Sequence, residues 1–352
     1  MKIGIVCYPT FGGSGVVATE LGMALADKGH NVHFITYNQP VRLDFISHNL
    51  HFHQVLLEEY PLFQYQPYEL ALSSKMVEVV EKNQLEVLHV HYAIPHAYAA
   101  FMAKQMLKEK GLDVKVVTTL HGTDITLVGS HPTYKSAVEF SINNSDVVTA
   151  VSNSLKETTT KLFNITKEIK VIYNFIDTQK YDKAHKEECK RFALAKPHER
   201  IFTHVSNFRP VKRVEDVVRI FHEVRKEIPS KLLMIGEGPE RAKAEKLVKE
   251  LNISEDVFFL GNSTEVTKIL CYTDIFLLPS QTESFGLAAL EAMAAGTAVI
   301  STNTGGLPEV NIDGVTGYLS DLGDIQDMAK NALSILKEDK ILATFKQHAR
   351  AH

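Results

Sequence analysis

Residues 3–22 read IGIVCYPTFGGSGVVATELG, and the fold can be inferred outward from this stretch. An apolar run meets a cluster of glycines, and a helical pattern follows. Gly13, Gly15 and Ala18 match G-x-G-x-x-A, the strand-to-helix turn of dinucleotide-binding domains. The stretch therefore predicts a buried strand that leads through a tight turn into a helix, the first unit of an α/β sheet.

The same alternation continues along the chain. Further strand candidates in the first half are NVHFITY, LEVLHVHY, VKVVTTL, SDVVTAVS and IKVIYNF. The alternation stops in a polar segment at residues 175–200 and resumes with IFTHVSN, KLLMIGEG, VFFLGNS, IFLLPS and AVISTN. Apolar strands joined by helices are typical of doubly wound parallel sheets. We predict two α/β domains in series, at residues 1–178 and 179–352.

Composition limits the possible functions. The chain has 352 residues, 45% of them hydrophobic and 23% charged, which is typical of a globular protein with an ample core. A net charge of −4 argues against broad binding to nucleic acid or anionic membranes. No apolar run approaches the ~20 residues that span a bilayer, and the first one is too short for a signal peptide. We expect a cytoplasmic protein without nucleic-acid or membrane partners, and leave homo-oligomerisation open.

The three cysteines, Cys7, Cys189 and Cys271, are widely spaced and form no C-x-x-C pair. This spacing argues against a disulfide framework or a zinc site and fits a reducing compartment.

The glycine turn allows three interpretations. A dinucleotide site needs an acidic residue at the end of the second strand, but VHFITYNQ ends in Thr36, Tyr37, Asn38 and Gln39. The glycines can instead serve only a tight turn and close helix packing. They can also bring a helix N-terminus close to an anion or a hydroxylated ligand, where Ser14 adds a hydroxyl.

Other strand ends in the first half carry polar side chains. Ligands of open α/β sheets bind beyond the carboxyl ends of the strands. The segment TTLHGTDIT places His121 there, in a structural or a catalytic role, and we expect Asp124 to cap a following helix. The segments HVHYAIPH and AVSNSL add Tyr92 and Asn153 at the same edge.

Three histidines near the third strand suggest a metal site. His89 and His91 are expected on one face of that strand because side chains alternate, and His96 follows. No carboxylate close by completes a set of ligands, so we expect no metal there.

The second half carries charged residues after two of its strands. In SNFRPVKRVEDV, Arg209 and Lys212 lie three residues apart at a helix start. The two cations can bind a diphosphate there, or they can form only a solvated basic patch. In QTESFGLAALEAMAAG, Glu283 lies in a loop and Glu291 on an apolar helix, where a carboxylate needs a partner such as ribose hydroxyls. The segment TGGLPEV adds a second glycine turn that can approach a phosphate.

Two absences restrict the chemistry. The sequence contains no G-x-x-x-x-G-K-[ST] motif, which excludes a simple P-loop nucleotidase, and no D-x-D triplet for a metal-bridged diphosphate. Arg209 and Lys212 can supply the positive charge instead. The predicted ligand has phosphates and vicinal hydroxyls.

Residues 283–291, ESFGLAALE, resemble the E-x7-E signature of the retaining GT-B glycosyltransferases of family 4. The blocks HGTD, AVSNSL, SNFRPVKR, GEGP and GGLPE resemble the other motifs of that family in the same order, over essentially the whole chain. The resemblance implies two Rossmann-like domains that face each other across a cleft, the first binding the acceptor and the second the nucleotide sugar. It implies no cofactor and no metal.

Several blocks, among them CYPTFGGSGVVATELG, HVHYAIPHA and VIYNFID, are similar to the family members that transfer GlcNAc from UDP-GlcNAc to the hydroxyl of L-malate, the first step of bacillithiol biosynthesis. The resemblance implies catalytic roles for His121, Arg209, Lys212 and Glu283. It also implies contacts to the donor from Gly13, Arg209, Lys212, Asn262, Glu283, Phe285, Gly286, Leu287 and Glu291, and contacts to the acceptor from Ser14, Tyr92, Thr119 and Asn153.

Three other functions remain open. The first is a family 4 transferase with another acceptor, such as inositol, a lipid or a glycan. The second is a UDP-sugar epimerase on the same fold, although such epimerases lack the E-x7-E block. The third is a non-catalytic nucleotide-sugar binder, against which His121 and the cationic clamp argue.

Family members usually continue into a C-terminal helix that returns to the first domain, so the ending KQHARAH implies a shortened tail.

Overall fold

The computed structural model describes residues 1–10, 12–43, 48–57, 65–186, 191–263 and 265–352. Cys189 lies outside these ranges. The chain divides into two compact units, Met1–Phe175 and Ile176–His352. The boundary that the sequence predicts, between residues 178 and 179, lies three residues further along the chain.

The first unit is built on a seven-stranded parallel sheet in the order β3-β2-β1-β4-β5-β6-β7. Each strand is short and most are buried on both faces, which is why they read as apolar runs. Its strands are β1 (Lys2–Val6), β2 (Asn31–Thr36), β3 (Leu50–Gln54), β4 (Val87–His91), β5 (Lys115–Leu120), β6 (Val147–Ala150) and β7 (Ile169–Val171). Its helices are α1 (Gly13–Asp27), α2 (Tyr68–Asn83), α3 (Tyr98–Glu109), α4 (Pro132–Asn143) and α5 (Asn153–Leu162).

The second unit is built on a six-stranded parallel sheet in the order β10-β9-β8-β11-β12-β13. Its strands are β8 (Arg200–Val205), β9 (Ser230–Ile235), β10 (Val257–Gly261), β11 (Ile275–Leu278), β12 (Ala298–Thr302) and β13 (Gly317–Ser320). Its helices are α6 (Thr178–Lys186), α7 (Arg191–Leu194), α8 (Val214–Arg225), α9 (Arg241–Glu250), α10 (Val266–Tyr272), α11 (Leu287–Ala294), α12 (Ile325–Leu336) and α13 (Asp339–Ala351).

The two sheets confirm the predicted fold class, two doubly wound parallel sheets. Each unit has its own apolar core, which includes Ile5 and Phe34 in the first and Phe202 and Phe276 in the second, all fully buried. Side chains of this size stabilise the folded state by roughly 1.5–3 kcal/mol each when they leave water.

The turn after β1 depends on Gly15. A Cβ atom on Gly15 would lie 2.5 Å from the carbonyl oxygen of Tyr8 and 2.6 Å from that of Thr10. Because both neighbours are backbone atoms, α1 can pack this closely on the turn only without a side chain at this position. The second glycine of the G-x-G-x-x-A pattern is therefore required by the packing of the turn, with or without a ligand.

Candidate active site

Three of the predicted residues of the first unit lie together beyond the carboxyl ends of its strands. Ser14 is in the first turn of α1 and Tyr92 directly follows β4, and their hydroxyls share a hydrogen bond of 2.6 Å. The ring of Tyr92 lies 5.3 Å from that of His121, which directly follows β5. Tyr92 has a φ of +88°, which is uncommon for a residue other than glycine and is found more often at functional sites.

Two more histidines, His89 and His91, extend this group from the side of His121. Nδ1 of His91 lies 2.7 Å from Nε2 of His121, and the rings of His89 and His91 stack with their centres 4.7 Å apart. His89 and His91 therefore lie on one face of β4, as the alternation of side chains predicts.

Thr119 is part of the same network but its hydroxyl is largely occupied. The oxygen lies 2.8 Å from Nε2 of His89 and 2.7 Å from the hydroxyl of Thr149. A hydroxyl offers one hydrogen and two lone pairs, so one position at most is left for an acceptor substrate.

Burial keeps the imidazoles of this group neutral. Burial lowers the pKa of His121 to about 3 and the pKa values of His89 and His96 to about 4. Burial first, and then the neighbouring imidazoles, hold the pKa of His91 well below its usual value. At neutral pH these rings therefore act through hydrogen bonds and not through positive charge.

The expectation that Asp124 caps a helix is wrong. Its carboxylate accepts the backbone N–H groups of Ala93 at 2.8 Å, Gly122 at 2.9 Å and His121 at 3.3 Å. Burial raises the pKa of Asp124 to about 6, although these N–H groups oppose the shift. The side chain ties the segment after β4 to the segment after β5, and so holds Tyr92 and His121 in place.

Asn153 lies at the neighbouring strand exit, as predicted. It is the first residue of α5, and its amide donates to the hydroxyl of Tyr173 at 2.8 Å. The cap of α5 is Ser152, whose hydroxyl accepts the N–H of Leu155 at 3.0 Å.

In the second unit, Lys212 and Glu283 form an ion pair. Nζ of Lys212 donates to Oε1 of Glu283 at 2.5 Å, and the hydroxyl of Ser280 donates to the same oxygen at 2.8 Å. Lys212 ends a short helical turn, Pro210–Lys212, and Arg209 precedes that turn. Among the described residues, the exposed guanidinium of Arg209 has no ion pair or hydrogen-bond partner, so it is available to an anion.

The predicted second glycine turn holds the loop of Glu283. A Cβ atom on Gly305, whose φ is +58°, would lie 2.0 Å from the carbonyl oxygen of Glu283. The N–H of Gly306 donates to that same oxygen at 2.8 Å. The loops after β11 and β12 are therefore pressed together, and both glycines have a structural function there.

The other predicted donor residues occupy the start of α11 and the end of β10. Gly286 precedes α11 with a φ of +102°, and no side chain caps the helix at this end. Phe285 is buried, while Leu287 and Glu291 are partly exposed, and Glu291 lies more than one turn into the helix. Asn262 is exposed directly after β10.

Sequence reasoning missed His204 and Ser206, which fix the loop that carries Arg209 and Lys212. Nδ1 of His204 donates to the carbonyl oxygen of Leu277 at 2.8 Å, so its Nε2 accepts from the hydroxyl of Ser206 at 2.7 Å. Burial lowers the pKa of His204 to about 4. A polar residue in the buried strand IFTHVSN was the available signal, because such a residue needs partners.

The described residues contain no cluster of three or more His, Cys, Asp or Glu side chains placed to hold a metal ion. Within the same residues, none of the helices combines the length and apolar character needed to cross a bilayer.

Known proteins match both halves of the chain. Residues 11–180 match the family described as Glycosyltransferase Family 4, and residues 186–352 match the family described as Glycosyl transferases group 1. The N-acetyl-alpha-D-glucosaminyl L-malate synthase of Bacillus anthracis is 49% identical over 350 residues, which are 99% of this chain and 91% of that protein.

Solved structures share the fold. The crystal structure of Anabaena Alr3699/HepE in complex with UDP and glucose matches with a TM-score of 0.80 and 18% identity, over 100% of this chain and 94% of that one. Sucrose-phosphate synthase from Thermosynechococcus elongatus matches with a TM-score of 0.78 and 22% identity, over 100% and 93% of the two chains.

Proposed function

Because the chain belongs to the family 4 glycosyltransferases and has the GT-B fold, we propose that it transfers GlcNAc from UDP-GlcNAc to the hydroxyl of L-malate with retention of the α-configuration. One observation carries the proposal: the 49% identity to a GlcNAc-malate synthase extends over 99% of the chain. The similarity therefore includes both units, the one proposed to bind the acceptor and the one proposed to bind the donor.

The diphosphate of the donor is bound by Arg209 and Lys212 in this proposal. Arg209 is exposed and its guanidinium is unpaired among the described residues, so it can bind a phosphate without losing another contact. Lys212 is paired with Glu283, and the phosphate competes with that carboxylate for the ammonium group. Both cations then stabilise the charge that develops on departing UDP.

The sugar and the ribose are bound by the loop and helix after β11. A Glu283 carboxylate partly released from Lys212 accepts the sugar hydroxyls, and the N–H groups of Phe285, Gly286 and Leu287 at the uncapped start of α11 donate to them. Glu291 accepts the hydroxyls of the ribose. Gly13 and Asn262 complete the donor contacts in the proposal.

L-malate is bound by the first unit. One hydroxyl of the Ser14–Tyr92 pair donates to the other, so the pair has one O–H left to donate to a carboxylate, and it lies beside His121. Thr119 and Asn153 complete the proposed set. A second malate carboxylate needs further donors, and the uncapped start of α1 supplies backbone N–H groups next to Ser14.

The reaction proceeds on one face of the sugar. The bond between the anomeric carbon and the phosphate oxygen breaks, and the bond to the malate hydroxyl oxygen forms on the same side. The hydroxyl proton passes to the departing phosphate, so no side chain has to act as a base. Positioning of the two substrates and the cations around UDP then supply the catalysis.

The first test is an acceptor scan. Purified protein with UDP-GlcNAc is expected to release UDP when L-malate is present, and succinate, which lacks the hydroxyl, is the matched control. Release of UDP with inositol or a lipid acceptor but not with L-malate would overturn the malate assignment. Conversion of UDP-GlcNAc to its epimer without any acceptor would favour the epimerase.

The second test concerns the metal. We propose that Arg209 and Lys212 make a divalent cation unnecessary, so the rate is expected to persist in excess EDTA. Complete loss of activity in EDTA that is restored by magnesium would contradict this.

A further inference from the structure

The ring of His121 is held by the ring of His91. Nε2 of His121 lies 2.7 Å from Nδ1 of His91, the ring centres are 5.0 Å apart and the ring planes are within 26° of each other. The rings therefore meet nearly edge to edge, and the facing nitrogens have hydrogen-bond geometry. So short a contact between two ring nitrogens needs one hydrogen between them, so one ring donates and the other accepts.

Two arrangements of hydrogens fit this contact. Both imidazoles are neutral at pH 7, because burial holds the pKa of His121 at about 3 and that of His91 well below its usual value. In the first arrangement, Nδ1–H of His91 donates to Nε2 of His121. In the second, Nε2–H of His121 donates to Nδ1 of His91.

The far nitrogen of His91 distinguishes the two arrangements. His91 is 1% exposed, and its Nε2 is buried without a hydrogen-bond partner among the described residues. In the first arrangement this atom carries a bare lone pair, whereas in the second it carries an N–H with no acceptor. Buried N–H groups without an acceptor are rarer in proteins than acceptors that lack a donor, so the first arrangement is favoured.

The same arrangement determines what His121 offers to a ligand. Nδ1 of His121 has no hydrogen-bond partner among the described residues, and this atom is accessible to solvent. It is therefore the open nitrogen of the ring. Since Nε2 accepts from His91, the single hydrogen of the neutral ring is on Nδ1.

We propose that His91 is a positioning residue that fixes His121 as the Nδ1–H tautomer, so that His121 presents a hydrogen-bond donor to the substrates. The identity of the ligand, a hydroxylated sugar or its acceptor, rests on the proposed function, whereas the tautomer does not. A ring in this state cannot take the proton of the malate hydroxyl through Nδ1. It can donate to a hydroxyl or phosphate oxygen near the reacting carbon.

The test reads the tautomer directly. The protein is labelled with ¹⁵N in its 16 histidines, and long-range ¹H–¹⁵N spectra are recorded between pH 6 and 8. The signals of His121 are assigned from their loss in His121→Asn. We expect a protonated Nδ1 and a bare Nε2 for His121, with no change over this range, because the ring does not titrate there.

Two variants of equal size separate positioning from packing. In His91→Asn a side-chain N–H can take the place of Nδ1–H, so His121 is expected to stay in the Nδ1–H form and to keep much of its activity. In His91→Asp the carboxylate can only accept, so the hydrogen of His121 is expected to move to Nε2. The activity of this variant is then expected to be at least tenfold lower than that of His91→Asn. Circular dichroism checks that both variants fold.

The possible outcomes are distinct. An Nε2–H tautomer of His121 in the unsubstituted protein would overturn the proposal. So would a result in which His121 has one and the same tautomer in His91→Asn and in His91→Asp. If the tautomers are as expected but L-malate does not accept GlcNAc, the proposed function fails and the positioning role of His91 remains.

Discussion

Lys212 and Glu283 are 71 residues apart in the chain, and their side chains meet at 2.5 Å. The proposed donor contacts depend on both groups. In Lys212→Gln the neutral side chain cannot stabilise charge on departing UDP. The release of UDP in the malate assay is expected to slow by about 10²–10³-fold, the usual effect of losing one group that stabilises the transition state.

Arg213→Gln is the matched control for this substitution. It removes one positive charge from the next residue, but the partly buried guanidinium of Arg213 is engaged by the carboxylate of Asp216, three residues along the chain, and not by Glu283. We expect this variant to keep most of its activity. Equal losses in Lys212→Gln and Arg213→Gln would mean that the overall charge of the segment matters and not the Lys212 contact.

Gly15 allows a prediction about stability. In Gly15→Ala the new methyl group would overlap the carbonyl oxygens of Tyr8 and Thr10, and neither can move without shifting the backbone of the turn. We expect a loss of at least about 2 kcal/mol in the free energy of unfolding, measured by urea denaturation. In the control Gly12→Ala the methyl would lie 3.4 Å from the hydroxyl of Thr10, so unfolding should change little. Similar midpoints for both variants would contradict this role for Gly15.

At the scale of elements, the sequence predicted the strands that are apolar on both faces. It did not predict β3, LHFHQ, or β13, GYLS. The first alternates apolar residues with histidine and glutamine and the second has only four residues, so neither contains an apolar run. Both lie at sheet edges, where a strand has one neighbour and needs less apolar surface.

The elements also explain why the site could be predicted only in part. Position at a strand exit was enough to place Ser14, Tyr92 and His121 at one edge of the sheet. The partners of these residues come from distant parts of the chain, as the bond from Ala93 to Asp124 shows. Such contacts cannot be inferred from spacing in the sequence, so Asp124 was wrongly predicted to cap a helix.

Edge strand β3 leads to a prediction about pH. Nδ1 of His33 on β2 lies 2.8 Å from Nε2 of His53 on β3. Burial first, and then the imidazoles of His51 and His53 and the charge of Lys2, lower the pKa of His33 to about 4, and burial also lowers the pKa of His53. Unfolded histidine titrates near pH 6.5, so between about pH 6.5 and 4 the unfolded chain binds more protons. The contribution of these histidines to the free energy of unfolding is therefore fully present above about pH 6.5 and is lost as the pH falls towards 4.

This dependence can be measured by urea denaturation at pH 7.5, 6.5 and 5.5. The free energy of unfolding is expected to fall with pH, by at most about 1.4 kcal/mol per pH unit for each such histidine. In His53→Gln the slope should be smaller, because glutamine does not titrate, whereas the exposed control His198→Gln should keep the full slope. A slope that is the same in all three proteins would show that the histidines of the β2–β3 edge do not contribute.

The whole molecule consists of two units that each have their own sheet and core, and different family profiles match them. The proposed donor residues other than Gly13 belong to the second unit, and the proposed acceptor residues belong to the first. This division predicts that the two substrates protect different parts of the chain from amide hydrogen exchange. A bound ligand raises protection where it makes contacts, because it stabilises the closed state of those amides.

Hydrogen exchange followed by mass spectrometry tests this division. With UDP alone, protection should rise in the loops at residues 206–213 and 279–291 of the second unit. Adding L-malate to the UDP complex should extend protection to residues 12–19 and 89–97 of the first, and succinate should extend it less because it lacks the hydroxyl. In Lys212→Gln the effect of UDP should weaken, since the phosphate loses one of its two cations. Protection by UDP confined to the first unit would reverse the assignment of donor and acceptor to the two sheets, because the protected amides would then surround Ser14 and Tyr92 instead of Lys212 and Glu283.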